Sequence, residues 1–271
     1  MEVEKIMSNK KDESKEILPD ISNIKTQETF TLPSKGLVYD ERDNIPASIT
    51  LRRMTTKEDK IRMRNLSEDK IRRDILQACI LEPDVKADKL KLSDANFLLF
   101  KLRVLSLLDD LYKVQIVCPN CTTTYIHEVH LNDVPVDYFT KTKLNEMSMV
   151  LPLSKVKIDF KYPSLGDMIN MGEKLRTYFD KFPNADRGES IYTTSAMLYI
   201  KQVNGENLIS EELEDFVDNM DIIDNKYFRK HLMALDDLYG LSSDIACSCP
   251  SCGHETKHGL PITGELFNPS L

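Results

Sequence analysis

The sequence predicts an α+β fold, mainly helical, made of two pseudo-repeats of short strands plus helices, each ending in a Cys-Pro-x-Cys hairpin. Three observations predict it. The pentapeptide Leu-Asp-Asp-Leu-Tyr occurs twice, at residues 108–112 and 235–239. Each copy is followed shortly by a Cys-Pro-x-Cys pair, Cys118/Cys121 after the first and Cys249/Cys252 after the second. The halves also open alike, with Leu32-Pro33-Ser34-Lys35 in one and Leu151-Pro152-Leu153-Ser154-Lys155 in the other. Five identical residues in register with the cysteine pairs and the openings favour an internal duplication. Duplicated units of this kind often pack against each other to bury a shared core.

The elements follow in order. Residues 1–28 are polar and charged without periodicity and read as a flexible tail. The first pseudo-repeat, 29–131, begins with a strand signal at 29–32, a turn signal from Pro33 to Gly36, and a second strand at 49–51. Thr56 with Asp59 three residues on resembles a capping arrangement. The helix that follows carries Ile71, Ile75, Leu76 and Cys79. Ser93 reads as the N-cap of the next helix. Its apolar stretch 97–108 is too short to cross a bilayer and reads as buried core. Residues 114–117 form a strand, the first cysteine pair a turn, and 125–131 a returning strand that alternates apolar and polar residues.

A linker, 132–147, leads to the second pseudo-repeat, 148–260. Residues 156–160 form its strand, and Ser164 with Asp167 repeats the cap. The helix beyond carries Met168, Met171, Leu175 and Tyr178 on one face. An apolar helix lies near 197–200. Ser210 caps a further helix whose Leu213, Phe216, Val217 and Met220 share a face. Asp224 caps the last helix, which Gly240 ends. Residues 261–271 are read as a C-terminal tail.

Composition narrows the function classes. Apolar residues make up 41% and charged residues 30%, an ordinary globular profile. No apolar run approaches the roughly 20 residues that a membrane-spanning helix needs. The N-terminus mixes both charges without a continuous apolar stretch, so no secretory leader is expected and a reducing compartment is. A formal net charge of −8 repels phosphate backbones and argues against nucleic acid. The short basic stretches at 60–64 and 70–73 are broken by apolar residues at helical spacing and read as solvated helix faces. There is no phosphate loop, nucleotide-binding glycine fingerprint, H-E-x-x-H or nucleophile elbow. The pairs Asp109-Asp110 and Asp236-Asp237 read as solvated helix ends. Neither an enzyme nor a small-molecule substrate is expected.

The cysteines carry the sharper chemistry. A C-x2-C knuckle presents two thiolates to one ion, and structural zinc takes four ligands. Two knuckles therefore close one tetrahedron, which predicts zinc on Cys118, Cys121, Cys249 and Cys252 and joins the halves as a split zinc ribbon. Such a closed site leaves no position for a catalytic water. Cys247 precedes the second knuckle and is the alternative to Cys249; the spacing favours Cys249 and leaves Cys247 a free thiol. Separate sites completed by His127 and His130, or by His254 and His258, would need two ions. Neither pair opens a helix in the βαβ setting of a redox C-x-x-C. Cys79 lies on an apolar helical face and reads as core.

These residues resemble a known family. Leu32-Pro-Ser-Lys-Gly36 with Tyr39-Asp40-Glu41 and Ile49-Thr-Leu-Arg-Arg-Met-Thr55 are similar to baseplate proteins of T4-type contractile-tailed bacteriophages, specifically hub subunits and hub-assembly proteins. Cys118-Pro-Asn-Cys121, Cys249-Pro-Ser-Cys252-Gly253 and Leu260-Pro-Ile-Thr-Gly-Glu-Leu-Phe267 extend the likeness over residues 29–267. The resemblance implies a structural or assembly role in the baseplate hub, with other phage baseplate and tail proteins as partners. It implies location in the host cytoplasm during assembly and in the virion tail baseplate. The Leu266-Phe267 pair reads as exposed, so the C-terminal tail and the N-terminal arm are expected to dock onto neighbouring tail proteins. A tail folding back on its own domain is the alternative. The competing functional class is a zinc-ribbon nucleic-acid-binding regulator, which requires a basic face near the knuckles.

Overall fold

The computed structural model describes residues 26–242, 244–260 and 264–267. Most of the expected N-terminal tail lies outside them, and Gln27 and Glu28 already belong to the first strand. β1 (Gln27–Thr31) pairs antiparallel with β2 (Ser48–Arg52). The connection opens with Leu32, whose N–H donates to Ala47 O at 2.9 Å. It then turns through left-handed Lys35 (φ 52°) and Gly36 (φ 77°).

α1 (Thr56–Arg62) begins one residue earlier than the sequence suggests. Its capping box is Thr55 with Glu58, not Thr56 with Asp59. Glu58 wins because its carboxylate accepts from Thr55 N and Oγ1, both at 2.8 Å, while also meeting Arg52 at 2.8 Å. α2 (Glu68–Cys79) buries Ile71, Ile75, Leu76 and Cys79, as its spacing predicts. α3 (Leu92–Leu107) is buried core, with Phe97, Leu98, Leu99, Phe100 and Leu102 nearly inaccessible. Its N-cap is Lys91 rather than Ser93, because Leu92 N donates to Pro163 O at 3.1 Å and pulls Ser93 into the first turn. β3 (Leu111–Val117) and β4 (Thr124–His130) form the first hairpin.

The segment read as a linker is ordered. It holds β5 (Val136–Asp137) and two 3-10 turns, and Phe139 is fully buried with its N–H donating to Pro33 O at 2.8 Å. β6 (Ser148–Val150) and β7 (Lys157–Phe160) flank the second Leu-Pro turn. α4 (Leu165–Lys181) carries the expected Ser164/Asp167 capping box. α5 (Arg187–Tyr199) leads into β8 (Ile200–Val203), which completes a three-stranded sheet in the order β6-β7-β8.

α6 (Ser210–Asp218) takes Ser210 as its first helical residue, with Ile209 at the cap position. α7 (Ile222–Asp236) is capped by Asp221, whose carboxylate accepts from Ile223 N at 2.8 Å; Asp224 is not its cap. The helix ends at Asp236, and Gly240 instead opens β9 (Gly240–Leu241), which pairs with β5. β10 (Asp244–Ser248) and β11 (Glu255–Gly259) form the second hairpin. No helix among the described residues is long and apolar enough to cross a membrane.

Two hydrophobic cores result. One gathers the side chains of α2, α3 and the first strands and hairpin; the other gathers those of β6–β8 and α5–α7. They are interlocked. Leu165, Cys247, Leu260, Leu266 and Phe267 from the second half belong to the first core, while Leu37 and Val38 pack against the second. The Leu266-Phe267 pair is therefore not an exposed docking tip. Leu266 is 0% exposed and Phe267 5%. The buried Arg103 donates to Leu266 O at 2.6 Å, and Arg62 to Phe267 O at 3.2 Å. Two apolar side chains in an acidic, charged chain gain more from this core than from water.

The halves share one further device. Asp94 is the third residue of α3 and Asp224 the third residue of α7, and both are buried. Asp94 accepts from Ser34 N (3.0 Å) and from the Tyr39 hydroxyl (2.7 Å). Asp224 accepts from Leu153 N (2.7 Å) and Ser154 N (2.9 Å). In each half a carboxylate in the first turn of the helix before Leu-Asp-Asp-Leu-Tyr thus clamps the Leu-Pro turn. Both turns also place a lysine, Lys35 or Lys155, at positive φ.

Candidate metal centre

Each Cys-Pro-x-Cys segment is the tip of a two-stranded hairpin. Proline at the second position presets the φ that such a turn requires. In the first tip Cys118 N donates to Thr123 O and Thr122 N to Cys118 O, both at 2.9 Å. In the second, Cys249 N donates to His254 O at 3.0 Å and Gly253 N to Cys249 O at 2.9 Å. The residue after the second cysteine is left-handed in both, Thr122 at φ 58° and Gly253 at φ 69°. Two sequences 131 positions apart therefore build the same knuckle.

The tips meet. Cys118 Sγ lies 3.7 Å from Cys252 Sγ, and Cys121 Sγ lies 3.6 Å from Cys249 Sγ. All four sulfurs fall within 4.8 Å of one another, in one cluster that contains no histidine. A tetrahedral ion with metal–sulfur bonds of about 2.3 Å has sulfur–sulfur edges of about 3.8 Å. The spacing and the all-thiol donor set thus fit zinc. Sequence separations of 134 and 128 residues between the closest partners mean that the cluster ties one half of the chain to the other.

The surroundings act unequally on the four thiols. The Cys121 thiol is drawn down to about 6 by the Thr123 hydroxyl and backbone, with Cys252 adding to the pull, whereas burial pushes the Cys249 thiol up to about 11. The Asn120 side-chain amide donates toward Cys252 Sγ at 3.6 Å. Tyr125 Oη is buried without a hydrogen-bond partner among the described residues, and burial, with Cys247, Cys249, Cys118 and Cys252 nearby, pushes its hydroxyl up.

The other candidates fall elsewhere. Cys247 is buried in the first core, its Sγ facing Ile245 O at 3.6 Å, and burial pushes its thiol up. Cys79 is 0% exposed, and burial raises its thiol to about 12. His130 Nδ1 faces Asp110 Oδ1 at 3.3 Å, and His258 Nδ1 faces Gly259 O at 3.0 Å. The hairpin lysines are met by carboxylates, Lys113 by Glu128 and Lys257 by Asp244, each at 4.0 Å, so they do not make a basic face. Sequence reasoning missed the Asp94 and Asp224 clamps. The shared place of the two aspartates, third in each helix, emerges only once the helix starts are known, and a carboxylate in a first turn ordinarily reads as a cap.

A family profile described as T4 bacteriophage base plate protein matches residues 24–268. No curated protein and no solved structure matches the chain. The matched span takes in both Leu-Pro turns, both aspartate clamps and both cysteine knuckles. The chain belongs to the T4 bacteriophage base plate protein family.

Proposed function

We propose that this chain is a structural or assembly protein of the baseplate hub of a contractile-tailed phage. It acts through contacts with other tail proteins rather than through chemistry. One structural zinc on Cys118, Cys121, Cys249 and Cys252 closes the two hairpins into a split ribbon and holds two duplicated halves, 29–131 and 148–260, in fixed relation. The observation that carries the reading is the convergence of four sulfurs, from knuckles far apart in sequence, to within 4.8 Å. The paired Asp94 and Asp224 clamps support the duplication. Family membership supplies the baseplate; the hub and the zinc are the finer inference.

Zinc bound this way contributes directly to folding free energy, because the unfolded chain has no preformed site. Metal analysis of the purified chain should give one zinc per molecule. Cys118→Ser and Cys249→Ser should each lose it and destabilise the chain by about 4 kcal/mol, a fall in Tm of roughly 10 °C for this size. Retention of the metal in both variants would overturn the shared site. The biological arm is separate: mass spectrometry of purified tails and of assembly intermediates should find peptides of this chain in one or both. Normal tails formed without the chain would overturn the hub assignment and leave the zinc result untouched.

A further inference from the structure

α4 is amphipathic, yet most of its apolar stripe belongs to neither core. Leu165 at its start joins the first core and Ile169 is buried, but Met171, Leu175 and Tyr178 line an open groove of about 720 Å³ between α4, α5 and α6. Met197 of α5 and Leu213 of α6 form the facing wall. A second hollow shares Tyr178 with the first and carries the groove on to Phe182; these two aromatics are 42% and 54% exposed.

The rim of the first hollow is mainly acidic. Asp167, Asp186, Glu189, Glu214 and Asp218 line it against Lys174, while the extension toward Phe182 adds Lys181 and Glu173. Asp167 and Asp186 are engaged as helix caps, and Asp218 accepts the Thr193 hydroxyl at 2.7 Å. Glu189 and Glu214 are exposed, and neither forms an ion pair among the described residues. An apolar floor containing pliable methionines, under an anionic rim, matches the way grooves take up amphipathic helices. The charge on the rim selects the sign of the helix.

We propose that this groove receives a basic amphipathic helix from a partner protein. Its apolar face rests on Met171, Leu175 and Met197, and its lysines or arginines lie along Glu189 and Glu214. Charge argues against the occupants nearer to hand. Residues 1–25 carry five lysines against six carboxylates, and a second copy brings a net charge of −8 to an acidic groove.

The test titrates the full-length chain with a fluorescent Leu/Lys amphipathic peptide and with its Leu/Glu counterpart. The Leu/Lys peptide should bind once per chain, more weakly as salt rises, and the Leu/Glu peptide should not bind. Leu175→Glu and the pair Glu189→Lys/Glu214→Lys should each weaken binding by about tenfold or more. Circular dichroism checks the fold; the two rim positions are exposed, so that variant remains informative if Leu175→Glu misfolds. Equal binding of both peptides, or binding that the rim variant leaves unchanged, overturns the proposal. So does a tenfold gain on deleting residues 1–25, which would make that segment the occupant. Self-association of the free chain that Leu175→Glu abolishes would do the same in favour of a second copy.

Discussion

The same five residues, Leu-Asp-Asp-Leu-Tyr, adopt two conformations in the two halves. In the second half Leu235 and Asp236 remain helical at the end of α7, and Leu235 is 1% exposed in the second core. In the first half α3 stops before the pentapeptide, Leu108 turns left-handed (φ 55°) with 57% of its surface open, and Leu111 already begins β3. The cause lies five residues upstream. There the first half has Arg103, 0% exposed, which donates to Asp109 O and Leu111 O at 2.9 Å each and lies over the Tyr112 ring. The second half has Lys230, which is exposed. A buried guanidinium must satisfy its donors, and it does so by drawing the pentapeptide carbonyls away from the helix. A local repeat thus sets which segment turns but not how it turns.

The aspartate clamps differ in the same sense. Burial pushes the Asp94 carboxyl up, against the opposing pull of Ser34 and Tyr39. At Asp224 the effect of burial is outweighed by the Leu153 and Ser154 N–H groups, and the carboxyl is held low. The first turn is sealed by the rest of the molecule, since Ser34 is 0% exposed; the second faces solvent, since Leu153 is 54% exposed.

The largest effect is expected at Arg103. Arg103→Ala strands the carbonyls of Leu266, Asp109 and Leu111 and should cost about 4 kcal/mol, whereas Lys230→Ala should be near neutral in the same denaturant titration. Equal losses would show that the asymmetry does not depend on the buried guanidinium. Next comes the clamp. Asp94→Ala leaves Ser34 N–H and the Tyr39 hydroxyl without a carboxylate and should cost about 3 kcal/mol. Asp224→Ala should cost less, because water reaches the second turn. Urea midpoints of the two variants check the order, and a larger loss at Asp224 would reverse the assignment of sealed and open turns.

The smallest effect is at the caps. Glu58 is held down at about 2, first by Arg52 and then by the Thr55 backbone and hydroxyl. Its folded value lies below the ordinary 4.5, so the stability it contributes is full above that pH and fades as pH falls toward about 2. Glu58→Gln should cost about 1 kcal/mol near neutral pH, kept small by the partly open Arg52. The gap from wild type should close on acidification. A gap independent of pH would mean that packing, not the carboxylate, carries the effect.

Much of this was legible in one sequence. α2 follows from its apolar spacing, the Ser164/Asp167 box from its side chains, the first hairpin from alternation beside its Cys-Pro-x-Cys pair, and the second from the repeat of that pair. The failures share a cause. Thr56, Ser93, Ser210 and Asp224 are plausible caps by residue type, yet the caps fall one to three residues earlier, where the neighbouring groups' existing bonds put them. Leu266 and Phe267 looked exposed because a short apolar pair between polar residues gives no sign of the distant core it fills.

The amphipathic helix α2, the two knuckles and the ligand types they offer were readable from the residues alone, because these rest on periodicity and on chemistry held within a few residues. It took the folded chain to reveal that Arg103 remakes one copy of the pentapeptide and that the C-terminal pair closes the first core. Each of those depends on groups more than a hundred residues apart or on competition for buried hydrogen bonds, and neither leaves a mark in local sequence.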